Sequence, residues 1–202
     1  MSEVQVVERS RPTGTVHVLK PGEMPLLRDH LLRLDPASRR DRFNGVVDDA
    51  FLIKYAAGCA DDGVIVLGYI EDGELHAAAE LHEPTRSPDE KPEIAFSVEP
   101  HLRRQGVGSA LFKALLTEAR RAGYRKLRVT TGAQNDAMRA LARKFGTKLK
   151  FSHGELSGNL DVAAAKVDSP PLNPFEVGRD IARGVYDLNR ALWSAFLGVR
   201  TN

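Results

Sequence analysis

Cysteine is almost missing from this chain. Cys59 is the only one, so no disulfide can close within the sequence, and the six scattered histidines form no Cys/His spacing of a zinc site. No apolar run approaches the roughly 18 residues of a membrane span. The opening residues, MSEVQVVERSRPTG, lack the apolar stretch of a secretory signal. Net charge is also scarce: 29 basic residues face 27 acidic ones, a formal +2. Nothing in that balance resembles the electrostatic footprint of a nucleic-acid binder. These absences predict a cytoplasmic protein with no metal, no nucleic-acid partner and no membrane association.

What is present is enough for a core. Apolar residues make up 42% of 202, which suits one domain of ordinary size with an appendage. Residues 1–13 read as a flexible arm. TVHVL (15–19) alternates like a strand. EMPLLRDHLLRL then places Leu27, Leu31 and Leu34 at helical spacing. DPASRRDRFNG reads as a basic loop, and DDAFLIKYAAGCA as a second short helix. GVIVLGYI, the turn EDGE and LHAAAELH form a hairpin pattern. EIAFSV (93–98) is a further strand. A helix follows with Val107, Leu111, Leu115 and Ala119 on one stripe, widened by Phe112 and Leu116. KLRVTT reads as a strand. Asn135 is a good N-cap for a helix carrying Met138, Leu141, Ala142 and Phe145. KLKF and LDVAAAKV (160–167) read as two closing strands. The order β-α-α-β-β-β-α-β-α-β-β predicts an α/β (α+β) domain over 14–168, with six to seven strands in a mixed sheet and about four helices. The unit at 93–131 should be parallel. Residues 169–202 read as a linker and a separate amphipathic helix.

The junction FSVEPHLRRQGVGSALFKALL poses the functional question. A helix start carries N–H groups without internal partners and a dipole that favours negative charge. Glycine there lets an anion reach the backbone. Gly106 and Gly108, beside Arg103 and Arg104, suit a diphosphate; tight packing of helix on strand is the other explanation for such glycines. A Rossmann loop would need glycine at Leu111, and no G-K-[ST] follows for a phosphate-binding P-loop.

RRQGVG after IAFSVEPHL resembles the acyl-CoA signature R/Q-x-x-G-x-G/A of the GCN5-related N-acetyltransferase (GNAT) family, with Arg103, Gly106 and Gly108 on its fixed positions. NDAMRALARKFG is similar to that family's N-x-x-A-x-x-L-Y-x-K-x-G segment at Asn135, Leu141, Lys144 and Gly146. LDPASRRDRFNG resembles the early part of bacterial protein-lysine acetyltransferase domains. The resemblance covers about residues 14–168. It implies the GNAT fold and acetyl-CoA as acyl donor. It implies backbone N–H groups of Arg104, Gln105, Gly106, Val107, Gly108 and Ser109 on the diphosphate. Phe96 and Val98 would pair with the pantetheine arm where two strands splay, and Asn135 would touch that arm.

Transfer to an amine needs a neutral amine, a stabilised carbonyl oxygen and a thiol that can leave. Glu93, at the start of the strand expected to carry the arm, is the first candidate base. Glu80 is its rival as base or substrate anchor, and His82 comes third. Ala142 stands where many relatives have tyrosine, so the family's usual acid is missing. The expected activity is acetyl or short-acyl transfer to a primary amine, such as a protein lysine, by direct attack in a ternary complex. A small-molecule acetyltransferase and a non-catalytic acyl-CoA sensor remain the alternatives. In the last segment Val177, Ile181, Val185, Leu188, Leu192, Phe196 and Val199 form one stripe, which predicts a homodimer through that helix.

Overall fold

The computed structural model describes residues 12–61, 64–84, 90–152 and 154–165. The amphipathic segment after residue 169 and nearly all of the N-terminal arm lie outside these residues. Among the described residues, seven strands and five helices build one mixed sheet with helices on both faces.

The chain runs β1 (Thr15–Val18), α1 (Met24–Arg33), α2 (Pro36–Phe43), α3 (Asp49–Asp61), β2 (Ile65–Glu71), β3 (Glu74–His82), β4 (Glu93–Val98), α4 (Val107–Arg121), β5 (Lys126–Gly132), α5 (Asp136–Lys144), β6 (Lys150–Ser152) and β7 (Glu155–Asp161). The strand order in the sheet is β1-β2-β3-β4-β5-β7-β6. Every neighbouring pair is antiparallel except β4 and β5, which the α4 crossover joins in parallel as the sequence pattern predicts.

Each sheet face has its own apolar cover. On one side Leu27 and Leu31 of α1 and Leu52, Ala56 and Cys59 of α3 pack with Val66, Leu75 and Ala78. On the other, the predicted α4 stripe is fully withdrawn from solvent: Val107, Leu111, Phe112, Leu115, Leu116 and Ala119 are all buried. Phe112 stacks between Phe96 of β4, at 5.2 Å, and Phe145 beyond α5, at 4.1 Å between centroids. That stack fixes the middle of β4 against both later helices.

Two readings need correction. DPASRRDRFNG is not a loop but helix α2. Asp35 caps it by accepting the Ser38 N–H at 2.9 Å, Pro36 occupies its first turn, and Asn44 ends it in the left-handed conformation. Its surface is too polar to show an apolar stripe. The last strand is not LDVAAAKV but ELSGNLD, five residues earlier. Gly158 and Asn159 argue against a strand locally, yet pairing along all of β5 overrides that preference. Gly158 answers a close approach, since a Cβ there would stand 2.5 Å from the Lys148 carbonyl oxygen. Val162 and Ala165 are buried as an apolar plug after the strand rather than within it. No helix among the described residues is long and apolar enough to cross a membrane.

Candidate active site

The sheet opens at its centre. β4 and β5 pair only at Glu93–Arg128 and Ile94–Val129. Past Ile94 the strands part. The Arg128 N–H donates to the Pro92 carbonyl at 2.7 Å, and the Glu99 N–H to His76 on β3 at 3.1 Å. Strand alternation then turns the N–H and C=O groups of Phe96 and Val98 away from β3 and into the gap.

The turn after β4 delivers α4 to the edge of that gap. Arg103 is committed to holding the turn: its Nε donates to the Val98 carbonyl at 3.0 Å and its guanidinium to Ser38 Oγ at 2.6 Å. The side-chain amide of Gln105 donates to the His101 carbonyl. Arg104 and Gly106 both take positive φ, 61° and 92°, and Gly106 caps α4. The first helical bond runs from the Ala110 N–H to the Gly106 carbonyl at 2.9 Å, so the N–H groups of Val107, Gly108 and Ser109 have no helical acceptor. A Cβ on Gly108 would meet Leu141 and Val98 only at 3.8 and 3.9 Å, ordinary contact. Packing within the chain therefore does not demand glycine at 108. Ser109 Oγ accepts from Lys144 Nζ at 2.9 Å, which adds a cation that sequence matching had placed only as a motif residue.

These groups line a cavity of about 860 Å³ that includes Phe96, Val98, Arg103, Arg104, Gly106, Gly108, Ser109, Asn135 and Lys144. A second cavity of about 1010 Å³ opens at the other end of the gap, between Glu93 and His82 on one wall and Arg128, Lys148 and Lys150 on the other. The two share Asp41, Arg42, Phe96, Asn135 and Met138. Helix α2 contributes to both. It is tied through Ser38 to Arg103, and the Asn135 side-chain amide donates to the Asp41 carbonyl at 3.3 Å. Asn135 also caps α5 through the Met138 N–H at 2.9 Å.

The two candidate carboxylates have different fates. Glu93 is partly exposed, lines the second cavity and lies opposite His82 in the β3–β4 ladder. Glu80 is wholly buried and lines neither cavity. Its Oε2 accepts from Arg42 at 2.7 Å and from Tyr55 Oη, and lies 3.1 Å from His82 Nε2. Burial alone would raise the Glu80 carboxyl; the Arg42 guanidinium and His82 overcome it and hold the group well below the usual carboxylate range. A carboxylate held that firmly ionised is a poor proton acceptor. Burial and the Glu80 charge push the Tyr55 hydroxyl up, so it stays protonated. Tyr55 lies in no motif and the sequence does not single it out; Arg42, expected with Arg39 and Arg40 in a basic loop that suits an acidic acceptor, is instead buried against Glu80. Arg39 is likewise occupied, by Asp49 at 2.6 Å and by the carbonyls of Leu32 and Leu34. Ala142 is fully buried, so a tyrosine there would have to displace its neighbours.

Residues 29–147 match the model of the acetyltransferase (GNAT) family. Similar folds occur in the GNAT domain of S. lividans PAT (19% identity over 73% of this chain and 90% of that one, TM-score 0.62). They also occur in a ribosomal-protein-alanine N-acetyltransferase from Brucella melitensis (19%, 73% and 99%, TM-score 0.56). A third is yncA, an acetyltransferase from Salmonella typhimurium solved with its cofactor acetyl-CoA (17%, 80% and 99%, TM-score 0.56). With the family match spanning more than half of the sequence, the chain belongs to the GNAT family of acetyl-CoA-dependent N-acetyltransferases.

Proposed function

We propose that this enzyme acetylates a primary amine on a protein lysine, with Glu93 as the base and direct transfer between two cavities that meet at Phe96. The observation that carries the reading is that junction. One cavity ends on the open start of α4, the other is lined by Glu93, and both include Phe96 and Met138.

The residues present fit acetyl-CoA. The free N–H groups of Val107, Gly108 and Ser109, with Arg104 and Lys144 nearby, suit a diphosphate. The Phe96 N–H and C=O and the Val98 N–H suit an extended amide-bearing arm, the Val98 carbonyl already accepting from Arg103. When bound, acetyl-CoA supplies an acyl group activated as a thioester. Glu93 accepts the proton of the incoming amine. The N–H groups turned into the gap are the donors available to an oxygen that gains charge. Ala142 offers no proton to a leaving sulfur, and an ordinary thiol, with a pKa of about 8.5, does not require one. Cys59, on α3, is buried in the core it shares with α1 and lines neither cavity, which favours direct attack over a covalent enzyme intermediate.

A protein acceptor suits the breadth of the second cavity and its charged lining, in which Glu83, Glu90 and Glu93 occur with Lys91, Arg128, Lys148 and Lys150. The Brucella melitensis neighbour is named for a protein acceptor. Thiol release from acetyl-CoA, followed across lysine peptides, polyamines and aminoglycosides, tests the reading. Turnover fastest with lysine peptides is expected. Turnover confined to a polyamine or an aminoglycoside would replace the acceptor class, and none with any amine would leave a coenzyme sensor. A second copy is the partner proposed for the apolar stripe between Val177 and Val199.

A further inference from the structure

A second cluster of polar side chains lies on the far end of β3 and β4, outside both cavities. His76 on β3, Glu99 just past β4 and His101 in the following turn bring three donor atoms within 4.8 Å of one another. We propose that these residues form a divalent transition-metal site, with zinc as the fitting ion, that joins β3 to the turn leading into the Arg103–Gly108 loop.

His76 hydrogen-bonds to Glu99, and the same distances accommodate coordination of one ion. His76 Nδ1 stands 3.0 Å and His101 Nδ1 3.7 Å from the same oxygen, Glu99 Oε2. The second distance is too long for a hydrogen bond. Donors on one tetrahedral zinc, each about 2.0–2.1 Å from the metal, lie about 3.3 Å apart, between the two observed values. The imidazole rings stand edge to face with centroids 5.3 Å apart, so they do not stack face to face. Two imidazoles and one carboxylate are a recognised zinc set that leaves a fourth position for water.

The carboxylate is also held as metal-binding carboxylates are. Its other oxygen, Oε1, is 3.1 Å from Nδ1 of the fully buried His30 and accepts from Arg33 Nη2 at 3.2 Å. His30 Nε2 is fixed in turn by Ser97 Oγ at 2.9 Å, and Arg33 by the Leu75 carbonyl at 2.6 Å. Oε2 is thereby aimed at the two histidines. His101, with 58% of its side chain exposed, can turn the short distance needed to close the set. The sequence conceals the site because one ligand lies on β3 and the other two past the end of β4, more than twenty residues later.

The test uses untagged full-length protein, freed of metal with a chelator and titrated with Zn²⁺ by calorimetry. Co²⁺ absorption provides a second readout of tetrahedral geometry. One equivalent should bind in the micromolar range or tighter. His101→Ala and His76→Ala should each weaken binding roughly tenfold or more. Zn²⁺ should raise the Tm of the wild-type protein and leave that of His101→Ala unchanged. His101 is exposed, so its variant keeps the fold even if His76→Ala does not, and its metal-free Tm checks this. No saturable binding, or binding unchanged in His101→Ala, overturns the proposal.

Discussion

The Arg42 guanidinium donates to Glu80 Oε2 across 2.7 Å, with 9% of the arginine side chain and none of the glutamate exposed. The pair stitches α2 to β3 under the junction of the two cavities. Removing one member leaves the other buried without its partner. Arg42→Ala should therefore destabilise the protein by about 3–5 kcal/mol, measured by urea unfolding. A change under about 1 kcal/mol would show that water already solvates the pair.

Glu93 and Glu80 separate in kinetics. Glu93→Gln should lower kcat by roughly 10²–10⁴-fold, the usual worth of a general base, with little change in acetyl-CoA affinity. Glu80→Gln should instead act mainly on stability. If Glu80→Gln gives the large kinetic loss with the fold intact while Glu93→Gln does not, the base is wrongly assigned. His82 then becomes the next residue to test, since Glu80 and Tyr55 orient its Nε2.

The two glycines of the loop make opposite predictions. Gly106 sits at φ 92°, so Gly106→Ala should cost about 1 kcal/mol of stability. Gly108→Ala has ordinary contact distances and should not destabilise. It should still weaken acetyl-CoA by calorimetry, and Gly108→Glu should weaken it by several kcal/mol, because bulk and negative charge then occupy the helix start. Equal affinity in wild type and Gly108→Glu would remove the anion site.

Acid should weaken the fold in two stages. Burial holds the His30 imidazole below its ordinary 6.5. The unfolded chain thus binds more protons there, and stability should fall as pH drops below about 6.5. Burial would raise the Glu99 carboxyl, but His30 and His76, with Arg33, lower it from 4.5 to about 2. Its contribution is present above about 4.5 and is lost as pH falls toward about 2. Thermal melts across this range should show both losses, and Glu99→Gln should reduce the lower one, leaving the part that belongs to Glu80.

Truncation after Ser169 removes the apolar stripe and should convert a dimer to a monomer by light scattering. A full-length protein that is monomeric at high concentration would refute the dimer.

The strands and helices with apolar periodicity were legible from the sequence, as was the helix start built on Gly106 and Gly108. Helix α2 was not, although Asp35-Pro36 before it and Asn44-Gly45 after it are readable end signals. Its stability comes from distant polar partners: Arg103 for Ser38, Glu80 for Arg42. The fate of Glu80 was hidden for the same reason. Its strand position suggested a cleft, and only the tertiary fold shows that α2 and α3 close over it. β7 was misplaced because VAAAKV carries the apolar run while ELSGNLD carries the pairing.

The gap between β4 and β5 has a consequence for solubility. A strand with unpaired N–H and C=O groups normally invites another chain to pair with it, and proteins guard such edges at the rim of a sheet. Here the open edge lies inside the sheet, with α2 beside it and β5 across from it. A slender extended ligand can enter from the end, whereas a foreign strand backed by its own sheet cannot. The gap thus keeps backbone hydrogen-bonding capacity in reserve inside the sheet rather than at its rim.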